Sequence, residues 1–575
     1  MYFLALATDY DGTLATDGRV GPEVIDALRS LKSSGRKLVM VTGREREDLE
    51  RVFPDTALFD LIVAENGALL IDPATGEETL LTTPPEQAFV ERLRERQVAR
   101  LSVGRCIVAT WQPHEAEVLE AIRDLGLELQ ITFNKGAVMV LPAGVTKASG
   151  LEAALRRLGL SPHNVVGIGD AENDHAFLRA CGCSVAVANA LPAVKQTADI
   201  VTEGARGAGV SEVVDQILAD DLASVERLWE RHLLPLGRTE DGRELNASPW
   251  SCTLVAGVSG GGKSTLITGM LESLATRGFQ YCVIDPEGDY EELAEAVQLG
   301  DPKSAPRVSE LDDILATPDR DLVFSLLALD AADRPGFLAA LLPRLAVLRA
   351  QTGRPHWLIV DEAHHMLPTH WKPAPVTLPE GLRATVFVTV HPNELAPPVL
   401  ARITTVVAVG GDPGGTLANF ARATGREPPV ELAKDSLGSD EAIVWHVDSE
   451  PVRIKKVRPT QRRRRHLRKY SEGELSPDHS FYFRGPNGVL NLRAHNLSLF
   501  LQLADGVDDD TWLHHLRARE YSAWLRMAIK DDALADEVAR IEHERSADAR
   551  SSRDAIAEQI RSRYIAPASA ASGSA

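Results

Sequence analysis

Short apolar runs alternate with amphipathic stretches along the first two hundred residues. FLALAT (3–8), KLVMV (37–41) and LIVA (61–64) each end in turn-forming or polar residues. PEVIDALRSLKSSG, between the first two runs, repeats its apolar positions at helical spacing. Buried runs alternating with helices predict an α/β domain around a mainly parallel sheet. A less regular stretch, about 83–143, interrupts the rhythm, which resumes with SGLEAALRRLGL, NVVGIGD and a helix from Asn173. The pattern places one domain over 1–218, with 83–143 inserted as a cap. A polar linker is expected over 219–250, and a second α/β series over 251–452. A basic linker follows over 453–469, a mostly helical region over 470–565, and a disordered tail over 566–575.

Composition adds a few exclusions. A chain of 575 residues accommodates three or four domains. Its net charge of −20 argues against nucleic acid coating the whole surface, though not against a local basic patch. Five irregularly spaced cysteines make no disulfide framework, so a reducing, cytoplasmic setting is expected. Cys181 and Cys183 read as small apolar residues. No run of about 18 apolar residues is present, so no membrane partner is expected.

Candidate chemistry clusters at the strand ends. Asp9 and Asp11, in DYDGTLA, follow the first strand, and Gly12 lets the chain bend so that both face one pocket. One carboxylate can attack phosphorus while the other moves a proton. Thr42 and Gly43, in VTGRE, offer phosphate a hydroxyl and a loop amide, and Lys147 offers it a charge. Asp170 and Asp174, in GDAEND, add carboxylates at another strand end. Asp9, Asp11, Asp170 and Asp174 are thus candidate ligands for Mg2+, which prefers oxygen donors. Ligands of open α/β sheets sit beyond the carboxyl ends of the strands, where these segments converge. Each motif alone is also what a turn or helix cap looks like; four in order, each after a strand, favour a site.

These four segments resemble the motifs of the haloacid dehalogenase (HAD) superfamily. AENGALL (64–70) and the insertion are similar to its Cof-like and sucrose-phosphate-phosphatase-like branch, which carries an α/β cap. The resemblance implies a Rossmann-like domain acting on a small phosphorylated metabolite, sugar phosphates first. It implies that Asp9 forms an aspartyl-phosphate and that Asp11 is acid and then base. Asp9, the Asp11 carbonyl and Asp170 would hold Mg2+, supported by Asn173 and Asp174. Trp111 and Arg105 can contact substrate as readily as serve core or surface roles.

A second motif, GVSGGGKST, fits G-x-x-x-x-G-K-[ST] between an apolar strand and a helix. Gly257, Gly260, Gly261 and Gly262 let backbone amides wrap phosphates. Lys263 neutralises them, and Ser264, followed by Thr265, can hold Mg2+. WLIVDEAHH supplies Asp361 for Mg2+ and Glu362 to orient an attacking water, a pairing that favours hydrolysis of ATP as substrate. Residues 250–450 resemble the HerA/FtsK-type P-loop ATPases, through YCVIDPEGDY (281–290) and VFVTVHPNEL (386–395). The resemblance implies a homo-oligomer, typically a hexamer, with an arginine reaching a neighbour's ATP. Arg383 and Arg402 are candidates for it, though each reads first as an ordinary surface arginine. His391 stands where the family has a polar γ-phosphate sensor.

The basic stretch holds ten Lys/Arg in 17 residues, among them Arg462–Arg465, and is read either as a nucleic-acid contact or as a solvated linker. Beyond it, Trp512, Leu516, Tyr521, Trp524 and Leu525 read as core, and His514 and His515 as helix surface. The combined expectation is a bifunctional phosphatase and ATPase. Its alternatives are a nucleic-acid end-processing phosphatase/kinase and an ATP-driven ring scaffold whose first domain senses a metabolite.

Overall fold

The structure is a computed structural model. It describes residues 2–564 apart from 135, 226–230, 259–260, 291–292, 294–295, 316, 319, 371–381, 430–436, 448, 460–469, 471–474, 476–479, 487, 489, 530 and 546–547.

The first sheet is built from β1 (Ala5–Thr8), β2 (Lys37–Val41), β3 (Leu61–Ala64), β4 (Leu69–Asp72), β5 (Glu77–Leu80), β10 (Val165–Gly169), β11 (Cys183–Ala186) and β12 (Ile200–Val201). Their spatial order is β12-β11-β10-β1-β2-β3-β4-β5. From β12 to β3 the pairing is parallel; β4 and β5 add an antiparallel edge. The central strands are buried along their whole length, as the continuous apolar runs require of a sheet covered on both faces. The cap lies between β5 and β10 and has its own antiparallel sheet: β6 (Ser102–Val103), β7 (Val108–Trp111), β8 (Leu129–Asn134) and β9 (Ala137–Pro142), ordered β6-β7-β9-β8. Helices Gln87–Glu95 and Glu115–Leu125 pack on one face of it around Phe89, Leu93 and Val118.

The second sheet has eleven strands: β13 (Leu234–Arg238), β14 (Glu244–Ala247), β15 (Cys252–Ala256), β16 (Tyr281–Asp285), β17 (Ala296–Leu299), β18 (Asp321–Ser325), β19 (Trp357–Val360), β20 (Thr385–Thr389), β21 (Thr405–Val409), β22 (Glu441–His446) and β23 (Val452–Lys456). Their order is β14-β13-β23-β22-β21-β15-β20-β19-β16-β18-β17. The seven strands from β21 to β17 are parallel, and the other four extend the sheet antiparallel from β21. Two segments expected as linkers are therefore partly sheet. Residues 234–247 form the edge hairpin, and 452–456 form β23. Their polarity misleads because outer strands need bury only one face: Leu234, Leu236 and Ala247 point inward while Arg238 and Glu244 are exposed. The rest of the basic stretch, Thr460–Lys469, lies outside the described residues, as does the tail 565–575.

The C-terminal region pairs β24 (Phe481–Phe483) with β25 (Leu492–Ala494) and adds helices between Leu497 and Tyr564. An aromatic core joins them. Trp512 stacks on Tyr521 at 4.3 Å and Phe500 on Trp524 at 4.9 Å. His514 is exposed, as expected, but His515 is buried. His515 accepts the Arg484 amide at Nε2 and meets Glu520 at Nδ1, so its polar atoms are satisfied inside. Among the described residues, no helix is long and apolar enough to cross a membrane. All five cysteines are free and buried.

The first and second domains meet over a small aromatic junction. His163 stacks on Phe279 at 3.9 Å and shares a hydrogen bond with the Arg277 carbonyl. The Asn164 amide donates to the Tyr2 carbonyl, and its oxygen meets His356 Nε2. Arg354 donates to the Gly159 carbonyl at 2.7 Å. Burial lowers the pKa of His163 to about 4 and that of His232, nearby, to about 3. An imidazole that resists protonation when folded favours the folded state above its ordinary value near 6.5 and loses that advantage as pH falls. Between about pH 7.5 and pH 5, His163 thus costs roughly 2 kcal/mol of stability. His163→Phe, which keeps the stack, is expected to flatten the denaturant-measured stability over that interval by this amount.

Candidate active site

Local chain geometry explains how Lys147 reaches the first site. Helix Lys147–Leu158 is started by a reciprocal cap in which Thr146 and Ser149 accept each other's amides. Lys147 is thereby fixed at its first position, fully buried and pointing at the sheet's carboxyl edge. The helix can approach that closely because Gly67, at φ +107°, faces the Thr146 carbonyl; a Cβ there would lie 1.9 Å from that oxygen.

The Lys147 ammonium sits between two carboxylates, 2.6 Å from Asp9 Oδ1 and 2.6 Å from Asp174 Oδ1. Asp174 Oδ2 accepts the amides of Asp170 and Ala171, both at 2.9 Å. Both Asp174 oxygens are thus engaged, Oδ1 by Lys147 and Oδ2 by the loop after β10. Asp170 lies near Thr13 at 3.4 Å and Asn189 at 3.5 Å. Oxygens of Asp9, Asp170 and Asp174 lie within 4.8 Å of one another, and all three residues are buried. Burial, and then the charge of Asp174, push Asp9 up to about 7, against the pull of Lys147. Burial opposes the charge on Lys147, but Asp174 and Asp9 outweigh it and keep its pKa raised. Buried carboxylates crowded together in this way are suited to a divalent cation with oxygen ligands.

Asp11 stands apart from this triad. Its half-exposed carboxylate is gripped by Arg44, with Nε to Oδ2 and Nη2 to Oδ1 both at 2.7 Å. Thr42 is buried and its hydroxyl accepts the Arg44 amide at 3.2 Å. Gly43 faces Met139 of the cap. Asn173 donates to Asn66 at 3.1 Å, tying the fourth motif to AENG.

Arg44 and Glu65 were not singled out in the sequence. The signal for each lay beside a motif: the arginine after VTG and the glutamate of AENG. Glu65 is buried at φ +50°, and its carboxylate accepts three cap amides, from Arg105 (2.8 Å), Cys106 (2.7 Å) and Ile107 (3.0 Å). Its own amide donates to the Arg44 carbonyl. A continuous path therefore runs from Asp11 through Arg44 and Glu65 to the cap. On the cap sheet, register places Trp111, Ala137 and Met139 on one face, which Met139 turns toward Gly43. Trp111 is exposed there, while the Arg105 side chain pairs with Glu47 and Glu78.

The second site lies at the carboxyl ends of β15, β19 and β20. Lys263, first in helix Lys263–Thr276, donates to the carbonyls of Gly257 (2.8 Å) and Val258 (3.3 Å). Gly261 packs on Gly410; Ser264 and Thr265 continue the helix; Gly260 lies outside the described residues. Asp361 is buried and accepts the Glu362 amide. Burial, then Glu362, Asp289 and Asp285, hold its pKa well above the carboxylate range. Asp285 itself accepts the amides of Glu287, Asp289 and Tyr290, which shapes the loop after β16. Glu362, at φ +40°, lies 3.4 Å from His364, which meets Thr389 at 3.1 Å. His391 follows β20 with its ring 5.5 Å from that of His364. Arg383 and Arg402 lie at the opposite, amino ends of β20 and β21. Arg383 stacks over Trp250, and Arg402 donates to the Pro398 carbonyl.

Taken together, the first domain has the sheet, cap and buried acid–lysine cluster of a phosphate-ester hydrolase. The haloacid dehalogenase-like hydrolase family profile matches residues 6–98 and 102–214. Phosphoglycolate phosphatase 2 of Saccharolobus solfataricus is 33% identical over 230 residues, covering 38% of this chain and 93% of that protein. Phosphoglycolate phosphatase of Methanothermobacter thermautotrophicus is 33% identical over 226 residues, covering 37% of this chain and 98% of that protein. Through its first domain the chain belongs to the haloacid dehalogenase-like hydrolase family, and it is a hydrolase of the phosphatase type. A solved haloacid dehalogenase-like hydrolase from Bacteroides thetaiotaomicron aligns with 37% of this chain and 99% of its own, at 18% identity and a TM-score of 0.34. Residues 252–332 match the central domain of helicase HerA.

Two substitutions probe the first site. Lys147→Met strands two buried carboxylates against each other and is expected to cost about 3–5 kcal/mol in denaturant unfolding. Glu65→Ala leaves three cap amides without their acceptor. Amide exchange at Arg105–Ile107 is expected to quicken by roughly ten- to a hundredfold, read by mass spectrometry.

Proposed function

We propose that the first domain is a Mg2+-dependent phosphatase of small phosphomonoesters that works through an aspartyl-phosphate on Asp9. The observation that carries this reading is the buried cluster of Asp9, Lys147, Asp174 and Asp170 at the carboxyl ends of β1 and β10. Asp9 attacks phosphorus and the ester P–O bond breaks. The leaving alkoxide takes a proton from Asp11. Water then attacks the aspartyl-phosphate, Asp11 accepts its proton, the bond to Asp9 breaks and phosphate is released. Lys147, Thr42 and the Gly43 amide stabilise the phosphoryl oxygens. Asp9 and Asp170, with the Asp11 carbonyl, are the groups that would hold Mg2+; Asp174, with both oxygens engaged, orients them. Bound there, the cation neutralises the crowded negative charge. Arg44 holds Asp11 until an incoming phosphate competes for the guanidinium.

The relatives' names make phosphoglycolate the first ester to test, ahead of sugar phosphates. The Trp111 and Met139 face of the cap forms the lid over it.

For the second domain the reading is hydrolysis of ATP. Lys263 and the loop amides hold the phosphates, Ser264 and Asp361 hold Mg2+, and Glu362 orients water. His364, hydrogen-bonded to Thr389, lies 3.4 Å from that carboxylate.

Phosphate release from phosphoglycolate and a panel of sugar phosphates should be lost in Asp9→Asn by a factor of at least about a thousand, while ATP turnover persists. Lys263→Ala should do the reverse. An Asp9→Asn protein that keeps wild-type release on every ester would sink the phosphatase assignment.

A further inference from the structure

The antiparallel part of the second sheet reaches into the P-loop. Lys456 is the last residue of β23, three strands from β15 in the sheet. Its backbone is fixed on both sides: the amide donates to the Asp440 carbonyl at 2.8 Å, and Lys456 pairs with Gly237 of β13. From there its side chain turns inward over the glycine loop. The ammonium lies 3.3 Å from the Gly261 carbonyl. A Cβ added to Gly262, which has φ +89°, would lie 2.4 Å from the same nitrogen. Lys456 is 6% exposed. Asp440, whose charge acts on Lys456, is itself paired with Arg458 at 3.0 Å, and among the described residues Lys456 makes no ion pair.

A buried ammonium whose partner is one neutral carbonyl is poorly compensated, because burial of charge is costly unless an opposite charge is supplied. Burial lowers the Lys456 pKa accordingly. The missing anion has an obvious place. Gly261 and Gly262 immediately precede Lys263, at the amino end of a helix of 14 residues, where backbone amides and the helix dipole favour phosphate. Lys263 itself is turned back onto the loop carbonyls of Gly257 and Val258, the same kind of partner that Lys456 has. Two buried cations are therefore parked on carbonyls of one short loop.

We propose that Lys456 is a second phosphate-binding cation of this site, contacting the triphosphate of a bound nucleoside triphosphate alongside Lys263. This rests on reading the loop as a nucleotide-phosphate site. Phosphate oxygens replace the Gly261 carbonyl as the acceptor for Lys456, and the antiparallel end of the sheet becomes part of the nucleotide pocket.

The test is calorimetric titration of the full-length protein with ATP, ADP and adenosine in the presence of Mg2+. Lys456→Gln keeps a donor for the Gly261 carbonyl but removes the charge. It is expected to weaken ATP at least about tenfold, the loss associated with one charge-assisted hydrogen bond, and to leave adenosine unchanged. Lys456→Arg is expected to restore most of the ATP affinity. Lys456→Met serves the same purpose as Lys456→Gln if only one neutral variant folds, as judged by circular dichroism. A folded neutral variant that binds ATP as tightly as wild type overturns the proposal, because a purely structural contact is then sufficient. Wild type that binds no ATP overturns the nucleotide reading itself. If wild type binds ATP and Lys263→Ala does not, the reading stands and the role of Lys456 is decided by its own variants.

Discussion

The first domain depends on a single buried ammonium. Lys147 lies between Asp9 and Asp174, so one positive charge makes it possible to bury two negative ones. At Asp9, burial and the charge of Asp174 both favour the proton, and Lys147 opposes them. The arrangement also sets the local backbone. Asp174 is free to hold the loop after β10 by two amides because its other oxygen is satisfied by Lys147. The capped helix start and the glycine opposite it are the means by which a lysine 138 residues from Asp9 is brought within 2.6 Å.

The second domain solves a different problem, which is to bring backbone close to backbone. Gly257 and Gly261 lie against the end of β21, and Gly262 lies under Lys456 of β23. A side chain at Gly257 would meet the Val409 carbonyl at 2.0 Å. The loop's glycines are thus required by the neighbouring strands as well as by any ligand. The carboxylates near it, Asp285 and Asp361, are buried at the ends of adjacent strands and are held in place by backbone amides.

How much of this was legible in the sequence depended on range. Continuous apolar runs announce parallel strands, so both sheets and the cap insertion could be read directly. The acid and lysine motifs were legible because each follows such a run. Edge strands were harder to see: LGRTEDGRELNA hides two inward positions among charges, and so it reads as a linker. His515 was misplaced because helical spacing shows which face a residue occupies, not what covers that face. Arg44, Glu65 and Lys456 were missed for a common reason. Each acts on a partner contributed by another element, such as the cap amides for Glu65 or the P-loop for Lys456, and no local pattern encodes such a pairing.

The junction between the two domains bears on how the chain can be divided. Tyr2, His163 and Asn164 of the first domain are covered by His356, Phe279 and neighbouring backbone of the second. Part of that cover follows directly from helix Lys263–Thr276, which begins at the P-loop. A fragment ending near residue 220 would present this aromatic patch to water, and one beginning near residue 250 would lose the hairpin that closes the sheet edge beside β23. The natural seam of the molecule runs through side chains, not along the polar segment between the first domain and the P-loop, so a gene fragment cut at that segment would separate domains that share a surface.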